Sequence, residues 1–98
     1  MIVVRFRMQC RPERTEQVRA ALEEVIAVSK GLDGVVSFDI GHDLADPHAF
    51  IATEVYESRA DLDRQEALPE VVRALELIRE SVVAREAVVY DVSPAASD

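Results

Sequence analysis

The chain has 98 residues, with 19 Asp and Glu against 11 Lys and Arg for a formal net charge of −8, and a single cysteine, Cys10. A domain this small buries only about 60–70% of the surface that its unfolded chain exposes, and with no basic cluster to displace counterions, nucleic acid and anionic membrane surfaces are excluded as partners. One cysteine rules out an internal disulfide, no apolar run approaches the ~20 residues of a membrane helix, and a strand-like start in place of a basic-then-apolar leader sets the cytoplasm as the expected compartment.

Residues 2–10 alternate, with Val4, Phe6, Met8 and Cys10 on one face and Val3, Arg5, Arg7 and Gln9 on the other. This predicts a strand with one apolar side. Pro12 suits a first helical position, and Glu13 and Glu16 suit the positive end of a helix. Val18, Ala21, Leu22, Val25 and Ile26 then recur at helical spacing until Lys30 and Gly31 close the segment.

Residues 35–42 alternate again, with Val36, Phe38 and Ile40 opposite Val35, Ser37 and Asp39. Asp46-Pro47 marks a turn and residues 50–57 a third strand, so the two strands pair antiparallel through a loop of about five residues. The phase of the third strand stays open, because both of its faces are partly apolar. Ser58, followed three residues later by Asp61, makes a capping-box pattern that opens a short helix over 59–66. Pro69 restarts a helix whose buried stripe is read as Val71, Val72, Leu75, Ile78 and Val82. Residues 86–92 form a last strand, and S-P-A-A-S-D at 93–98 a disordered tail beyond a single domain over 1–92.

The order β-α-β-β-α-β is the split βαβ arrangement of ferredoxin-like α+β folds, a four-stranded antiparallel sheet with its helices on one face. The other face then carries Val3, Val35, Ile51 and Val55 mixed with Arg5, Arg7 and Asp39. Such a face is too apolar for water and too charged for an ordinary core, so a second copy of the sheet is expected against it, in a homodimer.

Most catalytic constellations are absent. There is no G-x-x-x-x-G-K-[ST], G-x-G-x-x-G, G-x-S-x-G, H-E-x-x-H or C-x-x-C, and three glycines cannot build a phosphate loop. His42 and His48 beside Asp43 or Asp46 are too few for a zinc or iron site, so no metal is expected. Cys10 reads as a packed strand thiol and His48 as a solvated turn residue. His42 is either a strand-end side chain or the rim of a pocket between sheet and helices. Tyr56 and Tyr90 read as amphipathic core residues. Arg5 and Arg7 either pair with Asp39 and other carboxylates across the dimer or hold an anionic substrate.

One stretch carries more information. D-x-x-D-P-x-x-F (Asp43, Asp46, Pro47, Phe50), then E-x-Y-E-S (Glu54, Tyr56, Glu57, Ser58), then Leu62, set between an opening V-x-R-F-R and a closing V-V-Y-D-V, resembles the antibiotic biosynthesis monooxygenase family, to which quinol monooxygenases belong. The resemblance implies a dimeric α+β barrel: two sheets closed on each other, helices outside, and an apolar cavity between sheet and helices in each subunit. It implies a monooxygenase acting on a small phenolic or quinol-type aromatic with O2, with no cofactor, neither metal nor flavin. A deprotonated, electron-rich substrate can itself reduce O2, and lowering a phenol pKa by two units takes about 2.7 kcal/mol of preferential anion stabilisation.

On this reading Tyr56, His42 and Gln65 are the catalytic residues, Arg5 or Arg7 holds the oxyanion, and Phe38 and Tyr90 stack on the ring. Tyr56 stands where family members often have Trp, Gln65 where they often have His, and Pro69-Glu70-Val71 where they have P-H-F. The haem-degrading branch relies on Asn, Trp and His. This chain has neither Asn nor Trp, so haem degradation is rejected. The missing helix His leaves two other readings open: a non-catalytic dimeric small-ligand-binding or stress-related module, and an isomerase or lyase of the muconolactone-isomerase type that needs no O2.

Overall fold

The structure is a computed structural model and describes residues 1–93. The expected tail over 93–98 lies, but for Ser93, outside the described residues. In chain order the elements are β1 (Ile2–Cys10), a 3-10 turn (Pro12–Arg14), α1 (Thr15–Lys30), β2 (Val35–Asp43), β3 (Asp46–Tyr56), α2 (Arg59–Glu66), α3 (Pro69–Ser81) and β4 (Val82–Asp91). The strands form one antiparallel sheet in the order β2-β3-β1-β4, the ferredoxin-like α+β arrangement expected from the element order. Among the described residues no helix is long and apolar enough to cross a membrane.

The alternation in β1 sets the layers. Ile2, Val4, Met8 and Cys10 are buried against the helices, while Arg5 is exposed on the other face. Across the helical layer, α1 contributes Val18, Leu22 and Val25, and α3 contributes Val71, Ala74 and Ile78. The apolar interior falls into three clusters, built around Met8 and Phe50, around Ile2 and Tyr56, and around Phe38 and Val71.

Four local expectations are corrected. In β2, Val36 is not on the inner face but 52% exposed. A bulge lets Val35 and Ser37 follow each other against Tyr56 and Val55, so Val36 has no partner and Val35 turns inward instead. The loop between β2 and β3 is two residues, Leu44 and Ala45, and Asp46-Pro47 already belongs to β3. Asp43 Oδ1 accepts the Ala45 N–H at 2.8 Å, closing the turn locally, and Pro47 lies beyond the pairing with β1, where its missing N–H costs no ladder bond.

In α3, Val72 is 43% exposed and Ala74 takes the buried position; the stripe runs Val71, Ala74, Ile78 and Ser81. The helix ends at Ser81, and β4 begins at once with Val82, four residues before residue 86. The Arg11 N–H donates to the Ser81 carbonyl at 2.8 Å, and β-branched Val82 pairs directly with Cys10.

The sharpest backbone requirement lies ahead of β2. Gly34 has φ +85°, and a Cβ there would sit 2.1 Å from the Asp61 carboxyl group. Asp61 is held at the start of α2 by the expected cap: its N–H donates to Ser58 Oγ at 3.4 Å, and the Ser58 hydroxyl donates to Asp61 Oδ2 at 2.6 Å. Both the left-handed backbone and the close approach need glycine. Gly31, by contrast, ends α1 with φ −89°.

Candidate active site

The register of β3 settles the phase that its sequence leaves open. Phe50 opposes His42, Ala52 opposes Ile40, and Glu54 opposes Phe38, so Phe50, Ala52, Glu54 and Tyr56 all project toward the helices. A carboxylate therefore lies on the apolar side of the sheet. Glu54 is 6% exposed and Tyr56 is fully enclosed.

Between this face and the helices lies a cavity of about 380 Å³. Members of all three apolar clusters line it, among them Val4, Leu22, Phe38, Leu62, Val71 and Ile78. Ala74 on α3 and Ala87 on β4 face it with methyl groups only, which helps to leave the space unfilled. The volume is in the range of small-molecule pockets, mostly apolar with a few placed polar groups.

Those polar groups are Glu54, Arg59, Gln65 and Glu66 toward α2, Arg85 and Glu86 on the edge strand, and Arg7 on β1. The Tyr56 hydroxyl donates to Glu54 Oε1 at 2.5 Å. Burial pushes the Glu54 carboxyl up from 4.5 to about 7; the Tyr56 hydrogen bond pulls the other way, and the charge of Glu66 adds to the rise. Tyr56 is held well above its ordinary value by burial and by the Glu54 acceptor, so the phenol stays protonated and serves as a donor only. The Gln65 amide donates to Ser29 Oγ at 3.1 Å, tying α2 to α1 beside the cavity.

The residues expected to act together are distributed over three places. Phe38 and Gln65 line the cavity, and Tyr56 stands behind Glu54 without lining it. His42 lies toward the other end of β2, lining a separate, smaller pocket with Arg19, Glu23, Ile26 and Phe50. Its ring packs on Phe50 with centroids 4.5 Å apart. Arg19 contacts Nε2 and can only donate, so Nε2 accepts and Nδ1 donates to the Ala49 carbonyl at 3.3 Å. Arg5 registers with Thr53 and Val88 on the sheet face away from the helices, and Tyr90, opposite Val3, shares that face. Arg7 borders the cavity, but its guanidinium donates to Asp43 at 3.3 Å and lies 3.8 Å from Asp46. His48, half-buried in β3, meets Thr15 Oγ1 at 2.8 Å.

Glu54 was not among the expected site residues. A signal for it did exist: in E-x-Y the two side chains of a strand share one face, so an inward tyrosine carries the glutamate inward with it. Among the described residues no group of three or more His, Cys, Asp or Glu is placed to hold a metal ion.

Residues 1–77 match the profile of a family described as antibiotic biosynthesis monooxygenase. No curated protein matches the chain. Among solved structures, an antibiotic biosynthesis monooxygenase superimposes with a TM-score of 0.87 at 24% identity, over 96% of this chain and 100% of that one. A Mycobacterium tuberculosis protein gives 0.87 at 24% identity over 98% of each chain. A candidate antibiotic biosynthesis monooxygenase of Deinococcus radiodurans gives 0.87 at 20% identity, over 100% of this chain and 98% of that one. At these identities the likeness speaks for the fold.

Proposed function

Because the chain belongs to the antibiotic biosynthesis monooxygenase family, we propose that it oxygenates a small phenolic or quinol-type aromatic with O2 in the cavity between sheet and helices. The observation that carries this reading is Glu54: a carboxyl group on an apolar cavity wall, raised to about 7 and held by a tyrosine hydroxyl. A base poised near neutral pH suits removal of a phenol proton. Phe38 packs on the aromatic ring, and Gln65 orients the substrate hydroxyl. Tyr56 is a positioning residue, since it touches Glu54 and not the cavity.

Proton removal makes the substrate its own reductant. A hydroquinone and O2 give a hydroxyquinone and water: one oxygen atom forms a bond to ring carbon, and the other leaves with two protons. The four electrons that reduce O2 all come from the ring, so the balance needs neither an external reductant nor a metal or flavin. His42, whose ring nitrogens are both engaged outside the cavity, has no role in this step.

The working unit in this proposal is a homodimer, with residues 1–92 as one domain. What supports it is the sheet face away from the helices, where Val88 and Tyr90 are 44% and 48% exposed beside Val3, Ile51 and Val55. Two such faces laid together form the barrel, and Arg5 then lies at the interface, away from the substrate.

The test is O2 uptake with a panel of hydroquinones and anthrones after chelation and flavin removal, for the unaltered protein and for Glu54→Gln. Uptake above the uncatalysed rate, abolished in the variant, is expected. No uptake with any of them refutes the assignment and leaves the non-catalytic ligand-binding reading, which the enclosure of Tyr56 and the distant placement of His42 favour.

A further inference from the structure

The buried stripe of α1 changes character at its end. Val18, Leu22 and Val25 face the core, and the next buried position of the helix is Ser29, fully enclosed. Its hydroxyl oxygen accepts from the Gln65 amide at 3.1 Å. Stability alone does not call for this pair, because replacing both partners of a buried hydrogen bond by apolar groups of similar shape is nearly neutral. An apolar residue at position 29 would have continued the stripe. Asp61, one helical turn before Gln65 on the same face of α2, lies against Gly34, where a Cβ would sit 2.1 Å from its carboxyl group. The short helix is thus pinned twice, at Asp61 and at Gln65, against the end of α1 and the connection to β2.

What the second pin fixes is an atom at the cavity wall. Gln65 is 3% exposed and lines the cavity. With Nε2 turned to Ser29, the amide carbonyl oxygen points away from it. That oxygen takes no hydrogen bond among the described residues, yet it is not sealed in the core: of the described buried side-chain polar atoms, only Ser81 Oγ is both enclosed and without a partner. Gln65 Oε1 therefore opens on the cavity. Glu54 repeats the pattern, since its Oε1 accepts from Tyr56 while its Oε2 has no partner among the described residues and is not enclosed. Two nearly buried acceptors thus face one apolar space, and each needs a donor from the ligand. Their chemistry differs. A carboxylate can take a proton, whereas an amide oxygen is not basic and only accepts a hydrogen bond.

We propose that Ser29 is a positioning residue: by holding Nε2, it sets the Gln65 carbonyl oxygen to accept from the substrate hydroxyl that keeps its proton. This rests on the reading of the cavity as a quinol site, in which Glu54 removes the proton of the other hydroxyl. Released from Ser29, the amide turns and offers the cavity a donor as readily as an acceptor, so the second hydroxyl is no longer recognised. Leaving one buried acceptor unpartnered corresponds to about tenfold in affinity.

The test measures binding by calorimetric titration under exclusion of O2, with hydroquinone and its monomethyl ether, 4-methoxyphenol, which lacks one donor. The unaltered protein is expected to bind hydroquinone about tenfold tighter than the ether. Ser29→Ala should erase that preference by weakening hydroquinone alone, with the ether changed by less than about twofold, and Ser29→Thr, which restores the hydroxyl, should keep most of it. In a Gln65→Met background the preference is already lost, and adding Ser29→Ala should change nothing further, as required of a residue that acts through Gln65. Equal affinity for the two probes in the unaltered protein, no binding of hydroquinone, an equal loss of both probes in Ser29→Ala, or a further loss in the Gln65→Met background would each overturn the assignment. The comparison of the two probes in the unaltered protein needs no variant, so it stands even where a substitution disturbs folding. A hydroquinone preference that follows Ser29, without O2 uptake by any hydroquinone, would sink the monooxygenase reading and leave the role of Ser29 intact.

Discussion

Glu54 offers a measurement that links fold and function. In the unfolded chain its carboxyl titrates near 4.5, and in the fold near 7, so between these values the folded state binds the proton more tightly. A raised folded value stabilises the protein below 4.5, and that stability is lost as pH rises through 7. A pKa difference of about 2.5 at about 1.36 kcal/mol per unit makes the loss about 3 kcal/mol, an upper figure because water in the cavity screens part of it. Glu54→Gln keeps an acceptor for the Tyr56 hydroxyl and has no charge to bury. Urea unfolding followed by circular dichroism, at one protein concentration and across pH 4–8, should show the two proteins equally stable at the acid end. The variant should gain steadily toward pH 8, by up to about 3 kcal/mol. Comparing the two proteins cancels the titration of the other acidic groups. A difference that stays flat with pH, or favours the unaltered protein at pH 8, refutes the burial argument. The same substitution should abolish O2 uptake, so stability and activity move in opposite directions.

Tyr56→Phe removes the donor that favours the Glu54 anion, so the acidic limb of the kcat/KM profile should move to higher pH, with about 1–2 kcal/mol lost in unfolding; an unmoved limb counts against the pairing. Gly34→Ala meets both a positive φ and the Asp61 carboxyl group, and should cost about 1–3 kcal/mol or more in thermal or urea unfolding, whereas Gly31→Ala should cost little. Val88→Asp together with Tyr90→Asp charges the open sheet face, and sedimentation at micromolar concentration should shift from a dimer to a 10.9 kDa monomer; an unaltered protein that sediments as a monomer removes the basis for the barrel.

The elements legible from sequence are those in which one local rule governs several residues. Strict alternation placed β1 from Ile2 to Cys10, and the Ser58–Asp61 cap placed α2 from Arg59 to Glu66, each as the structure has it. Three of the four errors share one cause, a choice made by the neighbour and not by the segment; the short turn after Asp43, closed by its own side chain, is the exception. Val35 and Val36 are equally apolar, and only pairing with Tyr56 and Val55 decides which of them is passed over. Val71 and Val72 are adjacent and identical, and the packing of α3 chooses the first, with Ala74 filling the next turn. Val82 and Val83 could continue a helix or start a strand, and β1 was already present to pair with Val82.

The same reasoning explains why the candidate site was harder to see than the fold. His42, Glu54 and Tyr56 all belong to the inner face, but in the antiparallel register His42 opposes Phe50, whereas Phe38 opposes Glu54. Four residues of β2 therefore separate His42 from the partner of Glu54, about 13 Å at the rise of a strand, and this divides the two histidine-sized opportunities for acid–base chemistry into different pockets. Glu54 is hard to single out in the sequence because a charge on a strand normally marks the solvent face. Its burial contradicts the stabilising rule that shapes the rest of this small sheet, and a chain with so modest a core has little stability to lose. The hydrogen bond from Tyr56 offsets part of that cost while leaving the carboxyl near neutrality, which is the condition a base needs and a purely structural residue does not.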